Sequence, residues 1–294
     1  MNYYNEIKIQ LINNEVYKKA KEYSKNKNDL STYYNVGKLL SEAGKHYGEG
    51  IIKEYSMMLT QELGRGYGLS SLKNMRKFYL LFSKSQAVPD QLTWSHYVEL
   101  LKFDNMESIN YYIDISVRLN LSYRQLRERI RNKEYERLDD KTKEKLINNE
   151  ENNIQDFIKN PIIIKSKGNY ENINEKALKQ LILEDISGFM KELGDGFSFI
   201  EQEYKISFKN NYNYIDLLLF NYIYNCFVVV ELKVTELKKE HIGQIEVYMN
   251  YIDRNIKRLD QDKTIGIIVC KKDNKYVIEY SSDERIYSSE YILI

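Results

Sequence analysis

The chain has few of the residues that usually advertise a chemistry. Its 294 residues include two cysteines, three histidines, two prolines and one tryptophan. Cys226 and Cys270 lie within apolar, strand-like runs, which reads as two buried thiols and not as a disulfide or a metal pair. His46, His96 and His241 are far apart and show no ligand spacing, so a histidine metal centre is not indicated. No run of roughly eighteen uncharged apolar residues occurs, which argues against a membrane-spanning helix. The beginning, "MNYYNEIKIQL", lacks the basic start, apolar centre and small-residue cleavage site of a secretory signal. Together these absences point to a reducing, cytoplasmic setting with no membrane partner.

What is present is charge and apolar surface in quantity: 30% charged and 43% hydrophobic residues. That length and composition suffice for two domains with separate cores. The net charge of +1 conceals an asymmetry. Residues 1–137 carry 22 Lys+Arg against 16 Asp+Glu, and the remainder carries 22 against 27. A basic front half suits a polyanion partner, and an acidic back half suits a cation site.

The front half reads as helical almost throughout. Apolar positions recur at helical spacing in "YNVGKLLSEAGKHYGEGIIKEYSMMLTQEL" and "LSSLKNMRKFYLLF", the latter with Ser70 or Ser71 as its cap. The glycine-rich "GRGYGLSS" separates the two. Thr93 is placed to cap a helix through Leu101 in "VPDQLTWSHYVELL", with Trp94 as an anchor of the domain and His96 bonded locally. Two helix-turn-helix-like units result, Ile51–Leu63 with Leu69–Phe82, and Met106–Leu119 with Ser122–Arg137. The last of these helices carries Arg124, Arg127 and Arg131 at spacings that lie along a phosphate backbone, and Lys73 and Arg76 on the earlier unit are further candidates. A solvated helix with internal Glu–Arg pairs fits the same pattern.

Residues 138–170 are polar, rich in Asn and Lys, and hold Pro161, which marks a domain boundary. Beyond them "NEKALKQLILEDISGFMKEL" reads as one amphipathic helix capped by Asn172 or Asn174. The strand-like "FSFIEQEYKISF", "YNYIDLLLF" and "CFVVVELKV" follow. A second helix, "KKEHIGQIEVYMNYIDRNI", then leads to the strands "KTIGIIVC", "KYVIEYS" and "EYILI". The expected class is α + α/β. An all-helical domain spans 1–140, a linker 141–170, and a mixed sheet flanked by helices 171–294.

One strand ends in ionisable groups. Side chains alternate along a strand, so Glu231 and Lys233 share a face and Leu232 points to the other. The short "NYIYN" allows a hairpin that brings Asp216 across from Glu231. Two carboxylates then offer oxygen ligands to Mg²⁺ or Mn²⁺, with the Leu232 carbonyl as a third. A lysine beside such an ion can orient a water and stabilise charge on a phosphorane.

"IDLLLF" followed by "VVVELK" resembles the PD-(D/E)xK nuclease motif, with Asp216 and Glu231 in the metal positions and Lys233 in the lysine position. Gln244 and Tyr248 in "GQIEVYMNY" resemble the Gln-x3-Tyr motif of RecB-like members. The whole chain resembles the YhcG family, through "YYNVGKLL", "YGEGIIKEYSMMLTQELGRGYGLSSLKNMRKFY" and "LTWSHYVELL" at the front and "FMKELGDGFSFI", "IDLLLF", "VVVELK", "GQIEVYMNYID" and "TIGIIVC" at the back. The resemblance implies a restriction-endonuclease-like domain that hydrolyses phosphodiester bonds in DNA, behind a helical DNA-binding domain. It also implies a homo-oligomer, since related nucleases pair to cut two strands. Where the superfamily often places a further metal-binding Glu on the preceding helix, this chain has Lys179. Glu175, on the apolar face of that helix at 100° per residue, is the candidate substitute. The alternatives are a binding or assembly module with a silent nuclease fold, and a nuclease that cuts RNA.

Overall fold

The computed structural model describes residues 3–20, 25–83, 91–148, 150–166, 168, 173–208, 211–279 and 283–294. The chain forms two compact units, Met1–Tyr135 and Glu136–Ile294. Asn172, the alternative helix cap, lies outside the described residues.

Unit 1 is helical: α1 (Tyr3–Ala20), α2 (Lys25–Tyr47), α3 (Ile51–Leu63), α4 (Leu69–Phe82), α5 (Trp94–Leu100), α6 (Met106–Arg118) and α7 (Tyr123–Arg131). Apolar residues at helical spacing bury one stripe of each helix, and Ile7, Leu11, Leu40, Leu59 and Leu72 meet in one core. Trp94 packs its indole against Tyr33 and Phe78, with ring centroids 4.7 and 5.4 Å away. His96 is structural, as expected. It closes the α5 capping box, with Nδ1 2.8 Å from Thr93 Oγ1 and Nε2 2.9 Å from the Leu121 carbonyl oxygen.

Two expectations change here. Helix α4 begins at Leu69 behind Gly68, so neither Ser70 nor Ser71 is its cap. The basic helix stops at Arg131 and not at Arg137. Lys133 turns to φ +52°, and the chain reverses so that buried Glu134 meets Arg129 and accepts from the Tyr111 hydroxyl, each at 2.9 Å.

Unit 2 begins with α8 (Asp140–Asn148) and contains β1 (Ile162–Ile164), α9 (Glu175–Glu184), α10 (Ile186–Leu193), β2 (Phe197–Phe208), β3 (Asn211–Asn221), β4 (Cys226–Glu236), α11 (Lys239–Asn255), β5 (Asp262–Lys272), α12 (Lys275–Glu279) and β6 (Ile286–Leu293). The sheet order is β1-β6-β5-β4-β3-β2. Strands β2, β3 and β4 form an antiparallel meander, while β4, β5, β6 and β1 run parallel. Helix α11 is the crossover between β4 and β5, as a parallel pair requires. One face of the sheet buries Val228, Val230 and Leu232 beneath α9 and α10. The other buries Val229 and Ile268 beneath Ile245 and Met249 of α11.

Three further expectations change in this unit. The segment read as a linker is ordered in part: Ile162–Ile164 pairs in parallel with Tyr291–Leu293, and Ile154 and Ile158 join the unit's core. The single helix expected before the sheet is two, because Asp185 leaves helical geometry at φ −131° and its carboxylate caps the Gly188 N–H at 3.0 Å. "KYVIE" is the short helix α12 and not a strand; Val277 and Ile278 pack against the α11 side of the sheet.

Close helix packing in unit 1 gives a direct check. A Cβ on Gly37 of α2 would overlap the Met75 carbonyl oxygen of α4 and come within 2.9 Å of Tyr79 Cβ. Gly37→Ala is expected to destabilise unit 1 by about 2–3 kcal/mol, the cost of overpacking against backbone that cannot yield. Urea unfolding followed by the fluorescence of Trp94, the sole tryptophan, reads that loss.

Candidate active site

The site is set by a hairpin. Asn221 is fully buried at the end of β3. Its side-chain Oδ1 accepts from the N–H groups of Ile223 (3.0 Å) and Tyr224 (3.2 Å), and its Nδ2 donates to the Asp195 carbonyl at 2.9 Å. Asn225 takes φ +47°, a conformation asparagine tolerates better than most residues. This turn fixes the register from Asn221↔Cys226 to Leu217↔Val230, and Asp216 and Glu231 are the next residues along.

There the backbone ladder gives way to side chains. The Leu232 N–H donates to Asp216 Oδ2 at 3.0 Å. Lys233 Nζ donates to Glu231 Oε2 at 3.1 Å, so the two share a face as alternation requires. Glu231 is 2% exposed, and its second oxygen, Oε1, is buried with no hydrogen-bond partner. Burial, and then the Asp216 charge, push the Glu231 carboxyl up to about 7, against the pull of Lys233. Burial works against the Lys233 charge, yet Glu231, Glu175 and Asp216 outweigh it and raise the lysine above its usual range. Asp216, Glu231 and Lys233 are therefore together.

Lys179, which stands where the superfamily often has a metal-binding Glu, joins this cluster and brings Glu203, which the sequence does not single out. Lys179 of α9 lies 2.8 Å from Asp216 Oδ1 and 3.1 Å from Glu203 Oε1. Burial opposes its charge, and the two carboxylates prevail and raise its pKa. Glu203 sits in β2 at φ +50°, an uncommon conformation for a non-glycine residue. Its neighbours Gln202 and Tyr204 pair with Leu217 and Ile215, the residues that flank Asp216. No periodicity in "FSFIEQEYKISF" announces this irregularity.

Glu175 is an exposed first-turn residue of α9. It acts on Lys233 electrostatically but does not complete a ligand set. Among the described residues, no three His, Cys, Asp or Glu side chains group closely enough to hold a metal ion. On α11, Gln244 Nε2 donates to the Tyr248 hydroxyl at 2.9 Å, across one helical turn. Burial raises the Tyr248 hydroxyl pKa; the Gln244 hydrogen bond lowers it, and the Glu231 charge raises it further. His241, also buried on α11, is driven below its usual range by burial and then by Lys233.

The basic candidates of unit 1 divide into two kinds. Lys73, Arg124 and Arg131 are exposed. Arg76 is bound to Glu49, with Nη2 2.7 Å from Oε1. Arg127 donates from Nε to Oε1 of buried Glu99 at 2.8 Å. Burial weighs against the Glu99 charge, but Arg127 and Lys102 hold its carboxyl below the usual range.

The donor chemistry suits a hard divalent cation. Two carboxylates converge, and one of them keeps a buried oxygen without a partner, an arrangement that is costly unless something binds there. Both donors are oxygens, which Mg²⁺ and Mn²⁺ prefer.

Comparison with known proteins bears on the family. The YhcG protein of Escherichia coli (strain K12) is 26% identical over 284 residues, covering 82% of this chain and 76% of its own length. Two solved structures match at low similarity, each over about half of its own length. A repair endonuclease from Pyrococcus abyssi is 18% identical, covering 42% of this chain and 49% of its own, with a TM-score of 0.30. A complex of EndoMS with double-stranded DNA is 19% identical, covering 43% and 48%, with a TM-score of 0.29. Residues 8–137 match the DUF1016 N-terminal domain, and residues 155–294 match the YhcG PDDEXK nuclease domain. The chain belongs to the YhcG family of PD-(D/E)xK nucleases.

Proposed function

We propose that the chain hydrolyses phosphodiester bonds in DNA with the help of Mg²⁺ or Mn²⁺, and that its helical unit binds the nucleic acid. The observation that carries this reading is the buried, unpartnered Oε1 of Glu231 beside Asp216 and Lys233. Asp216 and Glu231 would hold the ion, with the Leu232 carbonyl as a third oxygen. When bound, the ion supplies Lewis-acid polarisation of the phosphodiester.

The chain's own residues do the rest. Lys233, kept charged and oriented by Glu231, donates a hydrogen bond to a phosphate oxygen and stabilises the negative charge that grows there. Gln244, fixed by its bond to Tyr248, orients the attacking water or the phosphate. Glu175 acts at longer range by supporting the charge of Lys233. In unit 1, exposed Lys73, Arg124 and Arg131 meet phosphates through a helix-turn-helix-like arrangement, whereas Arg76 and Arg127 serve mainly to fasten helices.

One observation favours a silent, binding-only protein: the Lys179 ammonium already neutralises Asp216. Incubation of the full chain with single-stranded, duplex and branched DNA and with RNA, with and without Mg²⁺ or Mn²⁺, decides between the readings. Cleavage dependent on the ion, reduced at least ~100-fold in Glu231→Ala or Lys233→Ala, supports the nuclease. Binding without cleavage of any substrate, unchanged in Asp216→Ala, supports the binding module.

Two further outcomes are expected. Because the proton competes with a cation for Glu231, Mn²⁺ affinity should rise with pH and level off above about 7, the value to which burial and Asp216 push that carboxyl. Isothermal titration from pH 6 to 8.5 reads this. In unit 1, Arg124→Ala with Arg131→Ala should weaken DNA binding uniformly across sequences and lower the salt slope by about 2. Arg127→Ala should instead lower thermal stability, since buried Glu99 loses a principal partner.

A further inference from the structure

A site built to receive a dication already holds two ammonium groups, and they are placed unequally. Lys233 takes one oxygen of Glu231 and leaves the other without a partner. Both oxygens of Asp216 are engaged: Oδ2 accepts from the Leu232 N–H, and Oδ1 is held by Lys179 at 2.8 Å. An ion that draws on Oδ1 therefore competes with Lys179 for it. The lysine has somewhere to go. Its Nζ is already 3.1 Å from Glu203 Oε1, and the Glu203 side chain is 65% exposed. A lysine on a flexible stem with rotatable donors can exchange one carboxylate for another without moving its helix.

The backbone of Glu203 supports a purpose for that second acceptor. At φ +50° it occupies a region uncommon for a non-glycine residue, and residues held this way cluster at functional sites. The charge balance points the same way. Asp216, Glu231 and Glu203 against Lys179 and Lys233 leave one formal negative charge among the five groups. A single dication reverses that to one positive charge, which matches one phosphodiester anion.

We infer that Lys179 is a positioning residue that occupies the cation position at Asp216 in the metal-free protein and passes to Glu203 when a divalent ion binds. The Lys179–Glu203 pair thereby sets the affinity of the site for that ion. This rests on the metal-dependent reading above.

The test is Mn²⁺ binding to the metal-free full chain at pH 8 without nucleic acid, by isothermal titration and by the electron paramagnetic resonance of free Mn²⁺. Lys179→Met and Lys179→Gln should each bind about tenfold more tightly than the unaltered chain, as removal of one nearby positive charge predicts. Glu203→Gln should bind several-fold more weakly, because Lys179 then has only Asp216, and the double variant should follow Lys179→Met. Binding by the unaltered chain that is unchanged or weakened in both Lys179 variants, or unchanged in Glu203→Gln, overturns the inference and leaves the metal reading standing. Absence of binding in every variant, Asp216→Asn included, overturns both.

Discussion

The hydrogen bond from the Leu232 N–H to Asp216 Oδ2 is the point on which the site depends. Strands β3 and β4 pair by backbone as far as Leu217 and Val230, and the next donor is met by a carboxylate. Without Asp216, the N–H of a residue that is itself buried would lose its partner, at a cost of about 1–3 kcal/mol. The same bond orients Asp216 beside Glu231, so one side chain both satisfies the strand and brings a second carboxylate to the cluster. On the α9–α10 face β4 stays apolar through Leu232, while its other face turns to Glu231 and Lys233.

How much of this was legible in the sequence follows from the range of the rule involved. Asp216, Glu231 and Lys233 could be read because strand alternation and a short hairpin are local rules. Gln244 and Tyr248 stand out only through their resemblance to the Gln-x3-Tyr motif, since a Gln and a Tyr one helical turn apart are ordinary surface or packing residues. Their proximity is observed; their roles remain the proposal made above. The ordered part of the expected linker was hidden because Ile162 finds its partner in Tyr291, at the far end of the chain. "KYVIE" has strand-like composition, yet five residues are too few for periodicity to decide. Asp185 breaks a helix whose apolar stripe runs on past the break. Lys179 was noticed for what it replaced, and its partner Glu203 depends on a left-handed backbone residue that side-chain patterns do not encode.

The positive balance of the front half also changes meaning in three dimensions. Arg76, Arg127 and Arg129 are paired with Glu49, Glu99 and Glu134. Two of these acids, Glu99 and Glu134, are buried, so their arginines hold α7 and the turn after it in place. Arg127 stays exposed despite its partner, and Lys73, Arg124 and Arg131 are exposed as well. A count over sequence treats all of these alike, whereas their energetics differ: a partnered arginine is already compensated, and an exposed one exchanges water and counterions for phosphate.

Glu231 completes the physical case for a chemical role at this edge. A strand built for stability alone would carry an apolar residue there, since replacing a buried ion pair by well-packed hydrophobic groups is often neutral or stabilising. Instead position 231 holds a carboxylate whose titration is displaced to about 7 by burial and by Asp216, with one oxygen left unpartnered. Lys233 compensates only the other oxygen. The fold thus sustains a local destabilisation where Glu231, Asp216 and Lys233 meet, and the feature that would relieve it is a cation at Oε1. Burial and ionisation make opposite demands on that residue, and the proposed ion is what would reconcile them.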